Sequence, residues 1–101
     1  MKTIATFTAN ATESVGGLNG NYAIGMVASD GSAADLGGGT IQFKFKDEND
    51  DYLPDNATDW SFTAAPEYPQ SFGFPAEQPF DVVLSGATSP DVVVKVAKYY
   101  G

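Results

Sequence analysis

The sequence contains no histidine, no cysteine and no arginine. Without His and Cys the usual nucleophile–base pairs cannot be assembled, nor can zinc, haem or iron–sulfur ligation. Without Arg there is no bidentate clamp for a phosphate or a substrate carboxylate. The lack of Cys also excludes a disulfide-stapled scaffold. Catalysis would be left to carboxylates, Lys, Tyr, Ser and Thr. A carboxylate-pair hydrolase is the one route this set permits. The acids, however, cluster in segments of turn-forming composition, and no spacing marks one as buried with a raised pKa. The residue set therefore reads as that of a non-enzyme with no cofactor.

Cations are also scarce. Five lysines stand against thirteen acids, for a net charge of −8. All five (Lys2, Lys44, Lys46, Lys95 and Lys98) lie outside residues 47–94, a stretch that holds Asp47, Glu48, Asp50, Asp51, Asp55, Asp59, Glu67, Glu77, Asp81 and Asp91. Such a chain repels nucleic-acid phosphate and anionic lipid, so neither is an expected partner. No apolar run approaches membrane-spanning length, and the opening residues show no secretory pattern, which gives synthesis in a cytoplasm as the expectation. Two glycosylation-type triplets, at Asn10 and Asn56, then read as turn residues.

What is present suits one small domain spanning residues 1–101, with 43% hydrophobic residues, seven Phe, five Tyr and one Trp. The hydrophobic period is two almost throughout. Residues 2–9, 22–28, 40–46 (TIQFKFK), 58–63, 80–85 (FDVVLS) and 91–99 alternate as strands, with 71–74 a weaker case between prolines. In the cleanest of these, Ile41, Phe43 and Phe45 face inward while Gln42, Lys44 and Lys46 face water. Residues 10–20, rich in Gly and Asn, and 29–39, with Asp30-Gly31 and the run Gly37-Gly38-Gly39, read as loops, with at most one helical turn at 32–36. About seven strands with turn signals between them predict an all-β fold, an antiparallel β-sandwich of jelly-roll-like form.

Two groups of residues invite a functional reading. Asp47, Asn49, Asp51 and Asp55 match positions of a calcium-loop pattern, but Tyr52 stands where the turn needs Gly and Thr58 where the bidentate Glu belongs. A solvated hairpin loop accounts for them better than a metal site. The second group is the aromatic set Trp60, Phe62, Tyr68, Phe72, Phe74 and Phe80, beside Pro66, Pro69, Pro75 and Pro79. Alternation assigns Trp60, Phe62 and Phe80 to the core. Tyr68, Phe72 and Phe74 in the Pro-broken stretch, with Tyr99 and Tyr100 at the C-terminus, are candidates for a protein interface. Tyr68, Phe72 and the acidic loop would alternatively serve a carbohydrate- or receptor-binding module.

Residues 80–96 (FDVVLSGATSPDVVVKV) resemble the strand, Leu-Ser-Gly-Ala-Thr-x-Pro turn and Val-rich closing strand of small β-sandwich structural proteins of tailed-phage virions. Residues 37–43 (GGGTIQF), a following loop and Trp60 are similar to a second element of the same group. Together these segments cover about half of the chain. The resemblance implies a virion component assembled in the host cytoplasm: a capsid decoration (cement) protein, or a head- or tail-associated knob. It further implies a homo-oligomer, a trimer in particular, bound to the major capsid protein or another virion protein. Under that reading residues 66–79 form the contact with the neighbouring subunit or the shell.

Overall fold

Period-two alternation lets a strand bury one face, and a computed structural model shows how eight strands are arranged around one core. It describes residues 1–54, 60–66 and 71–98. The strands are β1 (Lys2–Phe7), β2 (Ala11–Val15), β3 (Gly20–Val27), β4 (Thr40–Phe45), β5 (Ser61–Phe62), β6 (Ser71–Phe74), β7 (Phe80–Ser85) and β8 (Val92–Lys98). Pairing is antiparallel throughout: β1 with β8, β2 with β7, β3 with β6 and β4 with β5, the first strand with the last and so on inward. The long folded hairpin so defined is rolled until β8 also pairs with β3, and β7 with β4. Two four-stranded sheets result, ordered β1-β8-β3-β6 and β2-β7-β4-β5. This winding is a jelly roll.

The inward residues follow the alternation. Val92, Val94 and Val96 of β8, Ile24 and Met26 of β3, Ile41 and Phe43 of β4, and Phe80, Val82 and Leu84 of β7 are all buried. Central strands β8 and β7 supply the most completely enclosed side chains, because each has neighbours on both sides and a sheet above.

Three local expectations are corrected. Residues 10–20, read as a loop, contain β2, an edge strand whose residues from Ala11 to Ser14 are all exposed and so carry no burial pattern. The helical turn at 32–36 does not form; Ala33 instead bridges to Val27, and Asp35 to Asp91, where the backbones exchange hydrogen bonds of 3.1 and 2.8 Å. Lys46 does not point into free water but pairs with Asp81 at 3.1 Å.

Loop ends are tied by side chains that imitate backbone. The Asn10 amide nitrogen donates to the Ala87 carbonyl at 3.0 Å, and the Ala87 N–H donates to the Asn10 amide oxygen at 2.8 Å, joining the β1–β2 and β7–β8 turns. Both polar atoms of Asn10 are thereby engaged, the role expected of a turn residue. Asn10→Ala should cost about 1 kcal/mol, since the bonds are solvent-exposed and only their net worth is lost. A lowered urea midpoint with an unchanged m-value is the expected measurement.

Candidate functional site

Two regions rise above scaffold. The first is an aromatic chain along the β5–β6 edge, where the two sheets end side by side. Phe43 and Phe80 stack at 5.5 Å with an 11° interplanar angle in the core. From there the rings run outward through Phe74, 5.4 Å from Phe80, and Trp60, 5.1 Å from Phe74. Phe72 follows, 5.7 Å from both Trp60 and Phe62. Trp60 and Phe72 are half-buried against the core cluster.

Phe72 sits at the edge with part of its ring open. Phe74 is buried at 5% exposure with its ring among Phe43, Phe45, Trp60 and Phe80, so it is a core residue of this chain rather than a surface one. Its neighbour Pro75 masks that role in the sequence, because a proline flank argues for an edge while saying nothing about which side chains the edge covers. Tyr68, Tyr99 and Tyr100 lie outside the described residues.

The second region is a polar cluster on the outer face of the β2-β7-β4-β5 sheet. Asp81 lies on β7 between Ser14 of β2 and Lys44 of β4 in register, and is only 6% exposed although it faces away from the core. It is covered because the chain after β4 folds back: Tyr52 bridges to Lys46, and the Leu53 N–H donates to the Phe45 carbonyl at 2.8 Å. The Tyr52 hydroxyl donates to one Asp81 oxygen at 2.6 Å. The other accepts from Ser14 Oγ at 2.8 Å and pairs with the Lys46 ammonium at 3.1 Å. The Lys44 ammonium lies 5.1 Å from the Tyr52 ring centroid.

Burial alone would raise the Asp81 carboxyl, but hydrogen bonds from Tyr52, Ser14 and Lys46, together with the Lys46 charge, outweigh it and hold the pKa below its ordinary value. The Tyr52 phenol is pushed up, mainly by its bond to Asp81 and further by burial and the Asp81 charge. An ionised carboxylate with both oxygens occupied is a poor general acid or base. The cluster works as a strut that pins the 47–53 segment to the sheet. Sequence alternation placed Asp81 and Lys46 on the outer face correctly but could not show what covers that face.

The acidic turn that this strut carries is closed on itself. Asp47 Oδ1 accepts from the N–H groups of Asn49, at 2.8 Å, and Asp51, at 3.0 Å, while the Asp47 N–H donates to the Asp51 carbonyl at 2.8 Å. The Asp47 carboxylate thus shapes its own loop. Among the described residues no three acidic side chains converge as a metal site, and Asp55, the fourth calcium-pattern residue, lies outside them.

Compared with known protein families, curated proteins and solved structures, the chain matches none. The geometry therefore carries the functional argument by itself. One further feature of it is charge placement. The strands of the β1-β8-β3-β6 sheet hold Lys2, Lys95 and Lys98 and no acid, whereas those of the opposite sheet mix Glu13 and Asp81 with Lys44.

Proposed function

We propose that this chain is a non-catalytic structural subunit that docks on a larger protein assembly. In its most specific form this is the capsid-decoration role implied by the resemblance to small virion β-sandwich proteins. The observation that carries the reading is the aromatic chain leading from the Phe43–Phe80 stack to the half-buried Trp60 and Phe72 at the β5–β6 edge. Aromatic side chains rigidly backed by a core and open at one end are the anchors that dominate interface energetics. The acid-free strands of the β1-β8-β3-β6 sheet, with Lys2, Lys95 and Lys98, give a net-negative chain one face of opposite sign, which favours approach in one orientation. Jelly rolls host capsid and lectin domains alike, so the winding alone decides nothing.

A carbohydrate-binding reading is less well supported by the geometry. Stacking a sugar needs a free aromatic face; of the residues expected to supply one, Phe72 already has Trp60 and Phe62 at centroid distances of 5.7 Å, and Tyr68 lies outside the described residues.

The test is co-sedimentation with virus particles stripped of the chain. Wild-type protein should pellet with the particles and raise their resistance to heat. Phe72→Asp, verified as folded by circular dichroism and a cooperative urea transition, should remain in the supernatant, with at least about a tenfold loss of affinity for an interface anchor. A folded wild-type chain that ignores particles and binds saturably to a glycan array would overturn the proposal.

A further inference from the structure

The described residues include Asn10, Asn19, Asn21 and Asn49, and their surroundings differ in a way that bears on covalent stability. Asn10 is locked by its paired bonds to Ala87. Asn21 and Asn49 are followed by Tyr22 and Asp50, whose side chains obstruct approach to the next backbone nitrogen. Asn19 is exposed, its side-chain amide makes no hydrogen bond among the described residues, and it is followed by Gly20, which has no Cβ.

A second feature sits on the same peptide unit. The Lys98 ammonium, at the end of β8, donates a hydrogen bond to the main-chain carbonyl of Asn19. It lies so close over Gly20, whose φ is +103°, that a Cβ built there would collide with it. The Lys98 ammonium also lies over the Tyr22 ring, 4.9 Å from its centroid. A cation on that carbonyl oxygen stabilises the negative charge that develops there when the Gly20 N–H loses its proton.

We propose that Asn19–Gly20 is a deamidation site assembled by the fold, with Lys98 as the electrostatic donor that activates it. The Gly20 nitrogen attacks the Asn19 side-chain carbonyl carbon, a new C–N bond closes a five-membered imide, and the C–NH2 bond breaks. The amide nitrogen leaves as ammonia, taking up the proton lost from Gly20. One water then opens the imide at either carbonyl, giving aspartate or isoaspartate. The new carboxylate arises beside Lys98. The isoaspartate product lengthens the main chain immediately before the first β3–β6 pair, Gly20 with Phe74, and so loosens the edge that bears the aromatic chain.

By contrast Asp30–Gly31, the other acidic or amide residue before glycine in the described chain, is protected. Its carboxylate accepts from the Ser32 N–H at 2.9 Å and from the Ser32 hydroxyl, which holds it away from the following nitrogen.

The experiment ages the purified folded chain near neutral pH and body temperature, locates the mass gain by fragmentation, and repeats the series in concentrated urea. Asn19 should convert before the other described asparagines. Lys98→Met should slow it about fivefold, the effect of one charge-assisted hydrogen bond weakened by solvent. Lys98→Arg, which keeps the cation, should retain most of the rate and guards against a folding defect in the Met variant. In urea all three chains should convert alike. An Asn19 that stays intact in the folded chain while converting in urea, or equal folded-state rates in wild type and Lys98→Met, overturns the proposal.

Discussion

Phe80→Ala should remove about 3–5 kcal/mol of stability, the range for deleting a fully enclosed aromatic ring. Phe80 is 0% exposed and opposes Phe45 in register across the β4–β7 pairing. Its ring touches three others: Phe43 stacked at 5.5 Å, Phe45 at 5.3 Å and Phe74 at 5.4 Å. The loss has two parts, the buried area of the ring itself and the ring–ring geometry, the latter worth about 0.5–1.5 kcal/mol per pair beyond area. Relaxation cannot close the gap, because β7 is hydrogen-bonded on both sides and its backbone cannot move inward. A domain of this size has about 5–15 kcal/mol in total, so the loss takes between about a fifth and the whole of it, and a chain at the lower limit should be partly unfolded. Urea unfolding followed by Trp60 emission reads the effect directly, since Trp60 is the sole tryptophan and packs on the same cluster. Phe80→Leu keeps much of the volume and should cost less than about 2 kcal/mol. Equal losses in the two variants would show that the ring stack contributes nothing specific.

Much of this architecture can be read from alternation. Strands β1, β3, β4, β7 and β8 announce themselves because their inward positions are consistently apolar, and so does the sandwich that they build. Where reading fails, the missing information lies in another segment. β2 (ATESV) is exposed except for the half-buried Val15, and it is a strand because β7 offers it a ladder. Ala33 and Asp35 are extended because Val27 and Asp91 lie alongside, which overrides a weak local helical tendency. Phe74 is a core residue because the β5–β6 edge closes over it, not because of anything in the sequence around Pro75.

The candidate surfaces follow the same rule. Phe72 was legible as a candidate contact by its place in a Pro-rich stretch, and it does lie at the edge of the aromatic chain. The Asp81 cluster was not legible. A single acid in FDVVLS on the outward side of a strand is ordinarily solvated, and only the return of the chain at Tyr52 covers it. Asn19 and Lys98 are far apart in sequence and meet only because β3 pairs with β8.

The covered position of Asp81 leads to the second large effect. Asp81→Ala should destabilise the chain by about 3 kcal/mol, the lower part of the range for breaking a buried ion pair by removing one partner. The lower part applies because the Lys46 side chain keeps 14% exposure, enough for its ammonium to regain some water. Tyr52 and Ser14 lose their acceptor at the same time, so the 47–53 segment should lift from the sheet and become open to proteolysis. Asp81→Leu combined with Lys46→Met should recover most of the loss, because the penalty is mainly the desolvated Lys46 charge, left with only the exposed Asp50 at 3.8 Å, rather than the missing attraction. The pH dependence follows from the lowered carboxyl. Its folded pKa lies below the unfolded value of 3.8, so the folded state prefers the ionised form. The stabilisation is complete above that value and is lost as pH falls through the folded pKa. Wild type should therefore lose stability in acid more steeply than Asp81→Asn, and the two curves should converge at the acid end. Parallel curves down to the lowest pH would mean that the strut gains nothing from the charge on Asp81.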